Sequence, residues 1–399
     1  MYVTLRRLIW LLAALLALSP AVLRAGSCIV QDQIASASPA PPLADLAAAM
    51  AQYHRALAEY LEARQLYTAV AEAYWREIAE KRHVRVSKRA NHQAILLDDY
   101  VLTQPPIYSG PPRPRNPLKP EENPSAPPYV PVVADFLADA QREFKFVPRL
   151  PHSESEFKRA YAWAALAAGL TRDQIVRIYG FEAGGNGGYD VQAGLEYNKR
   201  ARAITTALGY NQLLATNTIE IVAEKGDQFV RKLSLRAAEI PGGGRQALDN
   251  KIAVLRKMVS YSTSVPDAWN EHEMLANTPK GLAVHAMNLD LDLGPLLQTQ
   301  KLLDSVVFAR RKGYDGTLTA AELEMMNLTG DGNGFDMVTL PAQWRGKVPT
   351  ANFFQRSGYQ DNPVAQRNNV VSRLIAATDA RMDEECRKPG ARELAAALQ

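Results

Sequence analysis

Cysteine is almost absent from this chain: Cys28 and Cys386 are the only two in 399 residues. Together they allow one bridge at most, which excludes a disulfide scaffold and a Cys-x-x-Cys zinc site. Histidine is scarce as well, with six scattered residues, and His272-Glu273 does not extend to the His-Glu-x-x-His of zinc proteases. No Gly-x-Ser-x-Gly elbow occurs, and the glycine run at Gly184 lacks the Lys and Ser or Thr of a phosphate loop. Neither sign of charge dominates: 46 Lys and Arg face 42 Asp and Glu, and a net charge of +4 spread along the chain gives no electrostatic footprint for nucleic acid. Nothing in the sequence calls for a cofactor or a metal.

The N-terminal apolar run, Leu8 to Leu18, falls short of the roughly 20 residues that span a bilayer. It follows Arg6 and Arg7 and precedes Pro20 and the small residues Ala25-Gly26-Ser27, the pattern of a secretory signal over residues 1–27. The expected location is therefore the periplasm or cell envelope. Cys28 directly after those small residues suggests a lipid-anchored, outer-membrane protein, and a disulfide to Cys386 is the competing expectation.

Hydrophobic residues make up 47% of the chain, enough for a sizeable core, and the periodicity is mainly α. Over residues 40–100 the apolar positions step by three and four through Leu43, Leu46, Met50, Tyr53, Leu57, Tyr60, Tyr67, Tyr74 and Ile78. They predict one long amphipathic helix whose stripe packs on a partner helix, on the following domain or on a second copy. Buried packing explains its tyrosines better than a sugar-stacking platform, and Arg82, Arg85, Lys88 and Arg89 read as a solvated face. Eleven of the 25 prolines lie between Pro105 and Pro131, so residues 101–131 read as an extended linker, or as a coat along the main domain. Helical signals resume from Val132 and continue through residues 132–385, leaving 386–399 as a tail. They include helices over Ala201–Leu208, Thr216–Lys225, Leu248–Met258 and Val364–Met382, and Ile240-Pro241-Gly242 marks a loop.

Two short elements carry the chemistry. Thr171 is a good N-cap with Asp173 in the first turn, and Gly184-Gly185 stop that helix one residue beyond Glu182-Ala183. A carboxyl group at a helix C-terminus faces the negative end of the dipole, and Tyr179 and Phe181 beside it would desolvate it; both effects favour the protonated acid. The second element is Gly209-Tyr210-Asn211-Gln212, leading to Thr218. Gly209 permits close approach, and Gln212 offers a donor and an acceptor to an acetamido or hydroxyl group.

Taken together, Glu182, Gly209-Tyr210-Asn211-Gln212 and Thr218 resemble the lytic transglycosylases, a family of lysozyme-like folds with a Glu at a helix end and then Gly-x-x-Gln leading to Thr. Here Ala203 stands where a serine is common and Ala215 replaces a proline. The longer spacing implies an added loop over Tyr189 to Lys199 that brings Asp190, Gln192 or Tyr197 to subsites. The resemblance implies a lysozyme-like helical catalytic domain and cleavage of the bond between MurNAc and GlcNAc in peptidoglycan. Glu182 is then the single general acid and base, and Gln212, Tyr210, Asn211, Gly209, Asp190 and Gln192 contact the glycan. The family's later Ala-Tyr-Asn-x-Gly segment has no match, and Tyr314 and Tyr359 are the candidates to replace its Tyr. A hydrolase would need a second carboxylate, for which Asp190 and Glu196 are available. The other reading is a cell-wall glycan-binding or scaffold protein that keeps the cleft without catalysis, with its N-terminal helix docking a protein partner.

Three acidic segments read as structural. Asp315 to Glu322 and Asp331 to Asp336 each miss ligands of a calcium loop and read as turns. Asp290 and Asp292 alternate with leucines and predict a short edge strand or extended segment.

Overall fold

A computed structural model describes residues 43–119, 128–185, 195–196, 202–203 and 205–399. The expected signal segment, Cys28, Asp190, Gln192 and Tyr197 lie outside the described residues. The chain forms two compact units divided between Pro128 and Tyr129. No helix among the described residues is long and apolar enough to cross a membrane.

The N-terminal unit is built on α1 (Leu43–Ala90), 48 residues and so about 72 Å long. From Tyr60 onward its stripe is covered by the chain's own return. After His92, with a left-handed φ of 54°, the backbone runs back along the helix. Tyr74 donates to the Thr103 carbonyl (3.0 Å), Lys81 to that of Tyr100 (3.0 Å), and Arg85 to that of Asp99 (2.9 Å). Tyr108 closes the series edge-on against Tyr60 and Tyr67, with Arg64 over its ring. The accepting carbonyls lie just ahead of Pro105, at the end of a single 3₁₀ turn (Leu97–Asp99) and in the extended backbone after it, where no helix or sheet partner claims them. The start of the proline-rich segment is thus packed on α1, where the sequence suggested a linker or a coat on the main domain. Arg85 and Lys88 are likewise not solvated: Arg85 is 1% exposed and stacks on Tyr100, and Lys88 pairs with Asp99 at 2.7 Å.

The C-terminal unit is mainly α. It opens with α2 (Val133–Phe144), α3 (Glu154–Ala167) and α4 (Arg172–Ala183), followed by an antiparallel pair, β1 (Leu195–Glu196) and β2 (Arg202–Ala203). Then come α5 (Ala215–Glu239), α6 (Gly243–Ser262), α7 (Trp269–Ala276), α8 (Pro279–His285) and α9 (Gly294–Arg311). Next are α10 (Ala320–Thr329), α11 (Asp331–Val338) and the short α12 (Ala342–Arg345), α13 (Arg356–Gln360) and α14 (Pro363–Arg367). The unit ends with α15 (Val371–Glu385) and α16 (Pro389–Ala397). Helix α5 is the spine: Ile219, Val222, Phe229 and Leu233 recur on one face and are buried among Phe136 of α2, Leu255 and Met258 of α6, and Val284 of α8. Gly242, at φ 68°, makes the reversal into α6 at the loop expected there.

Several expectations change. Ala201–Leu208 is not a helix: Arg202–Ala203 is a strand, and Leu208 bridges to Leu213 around a tight turn. The β-branched run Ile204-Thr205-Thr206 disfavours helix, and the two threonine hydroxyls instead accept from the backbone N–H groups of Ala207 and Ala215. The helix expected over Val364–Met382 is broken at Asn368–Val370, where the Asn369 carbonyl accepts from Thr350. Residues 386–399 are no tail: Ala391 and Leu394 of α16 are buried, and Glu393 pairs with the buried Lys158 of α3. Asp331 to Asp336 lie in α11 rather than in a turn, and Asp315 to Glu322 lead into α10 through a capping box between Thr319 and Glu322.

Asp290 and Asp292 do not lie on a strand. They form the turn that starts α9, where Asp290 accepts from the backbone N–H groups of Arg149, Asp292 and Leu293. Lys251 reaches both carboxylates, and Arg149 and Arg236 complete the node on Asp292. Burial by itself would raise Asp292, but the Arg149 and Lys251 hydrogen bonds hold it well below the usual carboxylate range.

Candidate active site

Helix α4 delivers Glu182 as the sequence suggested. Thr171 and Gln174 close a reciprocal capping box (3.2 and 2.9 Å), and Gln174 also donates to the Leu318 carbonyl ahead of α10 (2.8 Å). At the other end Gly184 takes φ 78° and caps the helix. The last turn is clamped from behind: a Cβ on Gly180 would lie 3.2 Å from that of Glu385, and the Gly185 carbonyl accepts from Ala391 (3.2 Å).

Glu182 faces α9 and α10. Its Oε1 accepts from Asn327 Nδ2 at 2.7 Å, Glu324 lies within hydrogen-bonding reach, and the Lys301 ammonium is close enough to act on both carboxyls. Burial raises Glu182 above the usual carboxylate range, against the opposing pull of Lys301, Glu324 and Asn327. Tyr179 is turned away, its ring 4.5 Å from that of Tyr210.

The Gly209–Gln212 turn joins the same site through Lys301, whose Nζ donates to the Asn211 carbonyl at 2.8 Å. Gln298 of α9 holds the turn: its Oε1 accepts from Asn211 N (2.8 Å), its carbonyl accepts from Asn211 Nδ2 (2.6 Å), and its Nε2 donates to Leu208 O (3.2 Å). Gly209 is required here for two reasons. Its φ is 77°, and a Cβ would sit 2.3 Å from Gln298 Nε2. The close approach expected at Gly209 is therefore made by Gln298, not by a ligand.

Tyr210 and Asn211 are corrected from glycan contacts to scaffold. Both are fully buried. The Tyr210 ring is enclosed by those of Phe157, Tyr161 and Tyr179, and its hydroxyl donates to Glu154 at 2.6 Å. Of the four turn residues only Gln212 is partly exposed; it has φ 44°, and its Nε2 donates to Gly209 O at 2.9 Å. Thr218 belongs to a buried knot with His285 and Asn288. His285 is pushed down by burial to about 4 and is neutral, so Nε2–H donates to the Thr206 carbonyl and Nδ1 accepts from Thr218.

Of the tyrosines considered as helpers, Tyr359 is buried against Phe354, and Tyr314 packs edge-on to Phe335. Among the described residues no group of three or more His, Cys, Asp or Glu side chains is arranged to hold a metal ion. Sequence reasoning missed Lys301, Glu324 and Asn327. The available signal was a glutamate in the apolar run Leu323-Glu324-Met325-Met326, with Asn327 one turn on and on the same side.

Comparison with protein-family models, with curated proteins and with solved structures gives no match.

Proposed function

We propose that this chain is an exported peptidoglycan lytic transglycosylase with a lysozyme-like catalytic domain, working in the periplasm or cell envelope. Cys28 is a lipid anchor or the disulfide partner of Cys386 in the same proposal. The observation that carries it is the Lys301 bridge: one ammonium acts on Glu182 and bonds the Asn211 carbonyl, so the two sequence elements that resemble the family meet at one node.

The chemistry asks two things of Glu182. As an acid it protonates the oxygen between MurNAc and GlcNAc. As a carboxylate it then takes the proton from the MurNAc C6 hydroxyl, whose attack on C1 closes a 1,6-anhydro ring. A partly buried carboxyl with a raised affinity for its proton suits the first step, and the Asn327 amide and Lys301 suit the second. Glu324 does not turn the site into a hydrolase. Glycosidase carboxyl pairs stand about 5–9.5 Å apart with the sugar between them, whereas Glu324 is in hydrogen-bonding reach of Glu182. Glu196 is placed on β1 and Asp190 lies outside the described residues. The test is mass spectrometry of the products from purified peptidoglycan. Anhydro-muropeptides from the wild type and not from Glu182→Gln support the proposal, and reducing-end products would replace it with a hydrolase.

The non-catalytic, glycan-binding reading is favoured by one observation: the burial of Tyr210 and Asn211, which leaves Gln212 as the sole accessible side chain of that turn. Glycan retained by a wild type that releases no products would establish it.

A further inference from the structure

A single acid and base at Glu182 leaves a second carboxyl, the buried Glu324, unexplained. Glu324 is 3% exposed, and its Oε2 accepts from no donor. Two carboxylates in contact have only acceptors to offer each other, whereas one proton between them makes a charge-assisted hydrogen bond. The single ammonium of Lys301 cannot balance two anions, since it also serves the Asn211 carbonyl.

We propose that Glu324 is a positioning residue of the site, a carboxylic acid that stays neutral through turnover and donates its O–H to the Glu182 carboxylate formed in mid-cycle. This rests on the transglycosylase reading and adds to it the group that holds the intermediate ionised state. The proton balance closes. Glu182 gives its proton to the leaving oxygen as the C1–O bond breaks. Its carboxylate is held by the Glu324 O–H and the Asn327 amide, and it recovers a proton from the C6 hydroxyl as the O6–C1 bond forms. Glu324 gains and loses nothing.

Charges on the elements packed around the pair are engaged elsewhere. Arg177 of α4 binds Asp379 and Asp383 of α15, and Glu385 is held by Arg381 and Lys388. Asp331 of α11 accepts from Ser305 of α9, Glu322 of α10 faces Arg345, and Glu393 of α16 pairs with Lys158. Lys301 is the cation that acts on the pair. Burial first, and then the negative charge of Glu182, pushes Glu324 well above the usual carboxylate range, in keeping with a neutral group.

The test has two arms on the full-length protein. Infrared spectra at about pH 8, where an ordinary glutamate is ionised, should show a protonated carboxyl band that Glu324→Gln removes. On soluble peptidoglycan fragments, Glu324→Met should lower kcat by about 10- to 100-fold, the loss of one hydrogen bond to a charged group. KM should hold, and the alkaline limb should move to higher pH because the Glu182 carboxylate has lost a donor. Glu324→Gln, which keeps a neutral N–H donor, should recover most of that loss with the limb in place. The proposal is overturned by a wild type without the band, by Glu324→Gln as slow as Glu324→Met, or by Glu324→Met with wild-type kcat and limb. A wild type that cleaves nothing sinks the transglycosylase reading instead, and the infrared band then decides by itself whether Glu324 is the neutral donor to Glu182.

Discussion

Two pairs of carboxyl groups sit in the same helical unit and are held in opposite ways. Asp290 and Asp292 meet Lys251, Arg149 and Arg236 together with backbone N–H groups at the start of α9. Glu182 and Glu324 meet one ammonium and one amide, at the end of α4 and within α10. Burial pushes Asp292, Glu182 and Glu324 upward alike, and the number of donors and cations around each decides whether that push is overcome, as it is at Asp292 and is not at the glutamates. The aspartate pair is saturated with donors and cations, which suits a joint between helices. The glutamate pair is short of donors and holds its protons more tightly than free glutamate does, which suits the acid role proposed for Glu182.

The comparison breaks first at Glu182. Glu182→Gln should cut anhydro-muropeptide release by about 10²- to 10⁴-fold and leave the fold intact, because the amide still fits beside Asn327. A rate within threefold of wild type would remove Glu182 from the chemistry. At the other pair the damage should fall on stability. Lys251→Met strands a buried carboxylate and should cost about 3 kcal/mol in urea unfolding, with the alkaline limb of cleavage unmoved. Equal unfolding midpoints for the two proteins would show that the backbone donors alone hold Asp290.

The pH dependence of stability sharpens the contrast because the signs differ. Asp292 binds its proton more weakly folded than unfolded, so its contribution is present above the ordinary aspartate value and is lost as pH falls through the folded one. Asp292→Asn should therefore be least stable relative to wild type near neutral pH, with the gap closing below about pH 4. Glu324 binds its proton more tightly when folded, so the wild type loses stability as pH rises above the ordinary glutamate value of about 4.3. Glu324→Gln should gain on wild type at alkaline pH and not in acid. Parallel urea midpoints at both pH values would show that the two pairs are not distinguished by protonation. The smallest effect is expected at Gly209→Ala, where the left-handed φ and the Gln298 contact together cost about 1–3 kcal/mol. Its midpoint shift should be accompanied by a lower rate, since the turn is joined to Glu182 through Lys301.

Much of this was legible in the chain. The Thr171 cap, the Gly184 stop and Glu182 beside it are local features, set by φ preferences and nearest-neighbour hydrogen bonds. The long N-terminal helix was legible from its stripe, but its cover was not, because an extended proline-rich segment carries no periodicity that says what it lies on. Asp290 and Asp292 were misread for the same reason: alternation with leucine looks like a strand, and the cations that define the node come from residues about 40, 56 and 140 positions away.

The sequence by itself determined that the chain is mainly helical, where α4 begins and ends, and that a carboxyl group stands at its C-terminus, since caps and apolar spacing act over a few residues. Only the tertiary structure decided that Tyr210 and Asn211 face inward, that Gly209 makes room for Gln298, and that Glu324, Asn327 and Lys301 close on Glu182. Burial and charge pairing between segments more than 100 residues apart set the protonation of Glu182, and no local pattern encodes them.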